Sequence, residues 1–171
     1  MKTDENGRYH LRRKDKAMPD PADQLAVIHG GKFLTLALCR DNEPYLVALC
    51  YAHSEAERCF YVHSALQGKK LDFLRANQRV WGQILEDRGY VGGAATYAYR
   101  SVMFEGLAEF VEEPEAKRRA LAALLERYEP GAEALKARML AGNMVDKTAV
   151  VRLRVLALSG KQSPAPAAGD K

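Results

Sequence analysis

Apolar residues change their spacing twice along the chain, and the changes mark its elements. Leu25 and Ile28 repeat at helical spacing after Asp20-Pro21, an N-cap followed by a proline at the first helical position, and Gly30-Gly31 stops that helix. From Lys32 strand character takes over, with strands predicted at residues 32–39, 45–53 and 59–64. The polar breaks between them, residues 40–44 and 54–58, are short enough for antiparallel hairpins and too short for crossovers. In the second of these strands Leu46, Ala48 and Cys50 point one way and Val47, Leu49 and Tyr51 the other. Both faces are apolar, so a central place in the sheet is expected.

A short helix follows over residues 68–77, with Leu71 and Leu74 as its buried stripe and Asn77 at its end. Strand character returns at residues 79–86 and, after a glycine-rich connection, at residues 97–111, where Gly106 suggests a bulge. Pro114 then opens a helix whose Leu121, Leu124, Leu125 and Tyr128 form a one-sided stripe. Pro130-Gly131 breaks it, a second helical stretch carries Leu135 and Met139, and residues 148–158 form a closing strand. Hairpin-connected strands with few helices predict a mainly β protein with peripheral α: a six-stranded antiparallel barrel, partly open, with flanking helices.

Length and composition narrow this picture. A chain of 171 residues with 47% hydrophobic content is the size of one domain, placed at residues 20–160. Residues 1–19 are polar and basic and are expected to drape over that domain or stay mobile, and residues 161–171 read as a disordered tail. The 26 Lys and Arg are interspersed with 22 acids for a formal charge of +4, which argues against a nucleic-acid binder. No apolar run approaches the length needed to span a bilayer, and MKTDENGRYHLRRK lacks the apolar core of a signal peptide, so a cytoplasmic protein with no membrane partner is expected. Cys39, Cys50 and Cys59 form no CxxC pair and read as reduced core residues. His53, Cys59 and His63 match no familiar zinc spacing, so no metal site is assigned.

The chemistry concentrates at FYVHSALQGKKLDFL, residues 60–74, where a strand passes through a polar turn into a helix. Ser64 offers a hydroxyl, Gly68 permits close backbone approach, and Lys69 and Lys70 bring two cations to the free N–H groups of a helix start. That combination suits a phosphate. Neighbouring helical residues point about 100° apart, so the two lysines cannot both aim at one phosphate.

These residues resemble the flavin-nucleotide-binding split barrels related to pyridoxamine 5′-phosphate oxidase, and among them the nitroimidazole-resistance type. The resemblance is carried by Arg12-Arg13-Lys14-Asp15, by Tyr61-Val62-His63-Ser64-Ala65 with Gly68-Lys69-Lys70, by Leu74 with Asn77, by Tyr99 to Val102 leading to Gly106, and by Ser159-Gly160-Lys161. It implies a homodimer with FMN in the cleft between subunits. Ser64, Lys69 and Lys70 would contact the phosphate, and Val47, Ala48 and Leu49 would line the ring. Gln83, Arg100 and Ser101 are further expected cofactor contacts, and His63 falls where this subgroup has a histidine close to the flavin, a candidate for proton donation. Trp81 is expected in interface packing.

The implied activity is reduction of a small electron-poor acceptor, nitroaromatic in type, with electrons from a nicotinamide nucleotide or another reductant. Two rivals stand beside it: a flavin carrier or sensor without turnover, and a haem-binding or haem-degrading split barrel with His63, His53 or Cys59 as axial ligand. Oxidation of vitamin B6 itself is set aside, because Arg152-Leu153-Arg154-Val155 lacks the proline of the oxidases' C-terminal Arg-Leu-x-Pro.

Overall fold

The computed structural model describes residues 13–141 and 144–163. Helix α1 (Pro21–Gly30) starts as its cap predicts, with the Asp20 carboxylate accepting from the Ala22 N–H at 2.8 Å. Strands β1 (Leu34–Arg40) and β2 (Glu43–Leu49) form a hairpin, then come β3 (Ala52–Ser54), β4 (Cys59–Ala65) and α2 (Lys69–Ala76). Two long strands, β5 (Arg79–Val91) and β6 (Thr96–Phe110), precede α3 (Pro114–Tyr128), α4 (Glu133–Leu140) and β7 (Thr148–Ser163). No helix among the described residues is long and apolar enough to cross a membrane.

The strands form one seven-stranded sheet in the order β2-β1-β5-β6-β7-β4-β3, antiparallel throughout. Its two edges, β2 and β3, are consecutive in the chain and joined only by Cys50 and Tyr51. Leu49 and Ala52 are three Cα–Cα steps apart, at most about 11 Å. The sheet must therefore curl until its edges nearly meet, and because they do not pair, the barrel stays split. The fold class expected from the sequence holds, with seven strands in place of six.

The additional strand comes from the stretch expected as one strand at residues 45–53, which breaks at Cys50-Tyr51 and belongs to both edges. The expected central position of this strand is thus corrected: β2 is an edge, with Leu46 66% exposed. Its Tyr45, Val47 and Leu49 face the barrel, while Leu46 and Ala48 stand on the outside of the sheet. The β1–β2 turn is also tighter than expected. Asp41 and Asn42 both take positive φ, 50° and 65°, so a two-residue turn carries the pairing through to Arg40 and Glu43.

Inside the barrel Phe60 and Phe104 stack at 4.6 Å among Leu34, Leu36, Ile84 and Leu153. Gly82 is required there, since a Cβ would lie 2.2 Å from the Phe104 ring. Gly106 marks the expected bulge, with the β6–β7 register shifting between Glu105 and Gly106. The cysteine expectation is corrected as well: Cys59 is buried, Cys50 is half-buried and Cys39 is exposed.

The closing strand runs to Ser163, past the expected start of the tail at residue 161. Residues 1–12, 142–143 and 164–171, including Arg12 of the basic arm, lie outside the described residues. Within the arm, Met18 is buried and its N–H donates to the Gly160 carbonyl, which docks that segment along β7.

Candidate functional site

Strand alternation splits the corner between β4 and α2. Phe60, Val62 and Ser64 share the barrel side of β4, while Tyr61 and His63 point the other way. Gly68 turns the chain with φ 136°, a conformation that favours glycine, and caps α2 without any side-chain bond. Its carbonyl accepts from the N–H groups of Leu71 and Asp72. The N–H groups of Lys69 and Lys70, at the head of the first turn, have no intrahelical partner.

The two lysines diverge as helix geometry requires. The Lys69 ammonium lies 2.8 Å from Glu43 on β2 and over the rings of Tyr45 and Phe73, at 5.0 and 5.3 Å. Lys70 has no ion-pair or hydrogen-bond partner among the described residues, and partial burial lowers its pKa. His63 keeps an exposed edge, yet crowding by its neighbours, and then the charge of Lys70, depress its pKa below the ordinary 6.5. It is therefore a neutral imidazole at pH 7.

The remaining expected contacts form a second group on the outside of the sheet. Pairing places Ala48, Thr35, Gln83 and Met103 in one cross-strand row and Leu85, Ser101 and Lys161 in another. Gln83, Tyr97, Tyr99, Ser101 and Lys161 line a shallow cavity of about 410 Å³. Ser101 is buried, and its hydroxyl donates to the Lys161 carbonyl at 3.4 Å. Around this cavity the outer face is apolar and exposed at Leu46, Trp81 and Leu85. Arg100 is not part of the group: it projects from the opposite face of β6 and is tied to Glu86 at 2.7 Å. Val47 and Leu49 likewise turn their side chains into the barrel, and their backbone groups pair with Leu36 and Leu34 of β1, so on the open edge of β2 it is Ala48 between them whose N–H and C=O face outward.

His63 opens onto a third feature that sequence reasoning missed, a cavity of about 290 Å³ between β4, α3 and α4. All four predicted residues of the α3 stripe, Leu121, Leu124, Leu125 and Tyr128, line this cavity, and of them only Leu124 is buried. Met139, Met144 and Cys50 complete much of the wall. The available signal was an apolar stripe on α3 followed by a helix too polar to cover it.

Of the other candidate ligands Cys59 is engaged, whereas His53 keeps a buried Nδ1 without a hydrogen-bond partner among the described residues. Cys59 sits 3.6 Å from the Glu57 carboxylate, and burial pushes its thiol up to about 11, which disfavours the thiolate a metal or haem would need. His53 packs on Phe60 at 4.9 Å and edge-on to His29 at 6.1 Å. Among the described residues no three His, Cys, Asp or Glu side chains gather as a metal-holding group.

Comparison with known proteins places this geometry. A profile of the family described as "Pyridoxamine 5'-phosphate oxidase" matches residues 20–162. An uncharacterized protein of Rhizobium meliloti is 41% identical over 61 residues, 35% of this chain, and the match spans 38% of that relative's length. A candidate 5-nitroimidazole antibiotic resistance protein of Bacteroides thetaiotaomicron superposes with a TM-score of 0.72 at 22% identity, covering 85% of this chain and 86% of its own. The flavocytochrome Anf3 of Azotobacter vinelandii superposes with a TM-score of 0.80 at 20% identity, covering 92% and 74%. At these identities the two structures share the fold.

Proposed function

Because the chain belongs to the pyridoxamine 5′-phosphate oxidase family, we propose that it is a flavoprotein that holds FMN between two copies of itself and reduces a small electron-poor acceptor. The observation that carries this reading is Lys70, a partly buried cation without a partner among the described residues, at the uncapped start of α2 and within range of His63. A phosphate is the ligand such a corner suits: the helix N–H groups and the ammonium supply donors and positive charge together. Lys69, already engaged with Glu43, adds to the field.

The β2 edge supports the rest of the assignment. An edge strand leaves the N–H and C=O of alternate residues without a partner in the sheet, and between Val47 and Leu49 it is Ala48 whose free donor and acceptor suit the polar edge of an isoalloxazine. Gln83 and Ser101 stand on the outer face of the sheet, so in this reading they reach the cofactor held by a second copy, and Trp81, Leu46 and Leu85 lie in the contact. Bound flavin supplies two-electron redox chemistry, drawing on a nicotinamide nucleotide or another reductant. The chain's own residues bind the phosphate, orient the ring and present His63 as a neutral imidazole that can donate or accept a proton.

Purified protein should show oxidised-flavin absorbance, either as isolated or after adding FMN, and should oxidise NADH or NADPH when a nitroaromatic acceptor is present. A colourless protein that ignores added FMN sinks the assignment. Flavin bands without turnover across an acceptor panel would make the protein a carrier or sensor. Haem is a second reading, favoured by His63 at the mouth of an apolar cavity and by the fold shared with a flavocytochrome. A Soret band on adding haemin, lost in His63→Ala, would establish it.

A further inference from the structure

We propose that the cavity between β4, α3 and α4 is a binding site for a neutral aromatic small molecule, with α4 as its lid and His63 as its hydrogen-bonding contact among the described residues. Three observations lead there. At about 290 Å³ the cavity lies near the lower end of the range of small-molecule pockets. No Lys, Arg, Asp or Glu is among the described residues that line it, so a charged ligand would give up its hydration with no counter-charge there to replace it. Thr148 donates its hydroxyl to the Met144 carbonyl at 3.0 Å, and the Tyr128 hydroxyl donates to the Lys32 carbonyl and accepts from the Tyr51 N–H. This leaves the His63 imidazole, beside the weakly polar Cys50 thiol, as the polar group among the described residues free to orient a guest.

Helix α4 supplies the second line of argument. It has eight residues and buries none of them, although Met139 and Leu140 line the cavity. A helix with no buried residue has little to hold it down. Polar links tie α4 to α3: Lys136 reaches Glu126, and the Arg118 guanidinium donates to the Leu140 carbonyl. Such a helix can swing aside, and a guest beneath it would supply the apolar surface that Met139 and Leu140 lack. Methionine walls favour aromatic guests, since thioethers pack against ring edges and adapt to shape. His63 stays neutral because crowding and the Lys70 charge oppose its protonation, so it can serve a nitro, carbonyl or hydroxyl group without demanding an anion.

The binding itself stands on the cavity. That the guest is the acceptor reduced by the flavin rests on the function proposed above, and the experiment separates the two. N-Phenyl-1-naphthylamine, a neutral dye that brightens in apolar sites, should bind the full chain saturably at one site per chain. Met139→Glu puts a charge into the cavity from an exposed helix position and should weaken the dye by about tenfold or more, with unchanged melting and flavin content. Leu125→Trp should do the same by filling the space. Nitrobenzene should displace the dye, and its affinity should fall roughly fivefold in His63→Leu. Dye binding unaltered in both cavity variants overturns the proposal, as does failure of nitrobenzene to compete or a cavity closed by a second copy that admits no dye. A protein that binds dye but no flavin would refute the flavin reading and leave this site standing.

Discussion

Replacing Lys70 by alanine should cripple flavin binding, whereas Lys69→Ala should barely change it. The two residues are adjacent in sequence, carry the same charge and sit in the same helical turn, so only their surroundings separate them. Lys69 must leave Glu43, 2.8 Å away, and the faces of Tyr45 and Phe73 to reach a phosphate. What it gains from the anion is offset by what it abandons, and an exposed cation of this kind changes affinity by less than about fivefold. Lys70 abandons nothing among the described residues, and partial burial already strains its charge, as its lowered pKa records. A hydrogen bond to a charged partner contributes about 1.5–3 kcal/mol, so losing it should raise the FMN dissociation constant by about 10- to 150-fold. Quenching of flavin fluorescence, titrated into flavin-free protein at fixed salt, measures this directly. Riboflavin lacks the phosphate and should bind the native protein and Lys70→Ala alike. The Lys70→Ala apoprotein should melt no lower than the native one, since removing a desolvated cation relieves the fold. A larger loss from Lys69→Ala, or an equal loss for riboflavin, would show that the phosphate does not sit at Lys70.

Gly82→Ala should lower the melting temperature by roughly 2–12 °C, because its Cβ would lie 2.2 Å from a Phe104 ring already stacked on Phe60, and overpacking of this kind costs about 1–3 kcal/mol; an unchanged melt would mean the ring has room to move. Trp81→Glu should halve the mass seen by light scattering on a sizing column, and a native protein that already elutes as a monomer would refute the two-chain site. Mixing Lys70→Ala with Gln83→Ala subunits should restore tight FMN binding at half the sites of the mixed dimer, because one cleft then combines two intact residues; no recovery would place both residues in one chain's site. Stability to denaturant should be complete above the ordinary histidine value of 6.5 and fall as pH drops through it. Burial, then His29, hold the folded pKa of His53 down, so the unfolded chain takes up the proton first, and His53→Phe should flatten part of that fall.

Local rules made most of the fold legible. Asp20-Pro21 and Gly30-Gly31 bracket α1, and the glycine at 106 marks a bulge, because caps and bulges depend on residues a few positions apart. The fate of residues 45–53 was not local. Val47 and Leu49 are apolar because they face the barrel, and Leu46 is apolar although it is exposed in the single chain. An alternating pattern with two apolar faces cannot distinguish a strand covered twice by its own chain from an edge strand whose second cover comes from elsewhere. The break at Cys50-Tyr51 was hidden for a similar reason. Nothing in Leu49-Cys50-Tyr51-Ala52 disfavours extension; the break follows from the Tyr51 side chain, which turns into the core and donates to the Ile28 carbonyl at 2.5 Å.

The candidate site was legible as chemistry and illegible as geometry. Ser64, Gly68 and Lys70 were found together because seven residues of one turn hold them. Gln83 and Ser101 lie on the outer face of β5 and β6, two and three strands from β2. At about 4.8 Å per strand that is roughly 10 and 14 Å, around the curve of the sheet. A ring resting along the β2 edge of one chain cannot also lie on that chain's outer face at Ser101. Either Gln83 and Ser101 have no part in the site or they serve a cofactor held by another copy. The exposed apolar surface around them favours the second alternative, because Trp81 and Leu85 are half in water and a monomer gains nothing from leaving them there. A site of that kind would be divided between two chains, so no stretch of one chain would contain it. Sequence alone lists its parts without saying which chain each part serves.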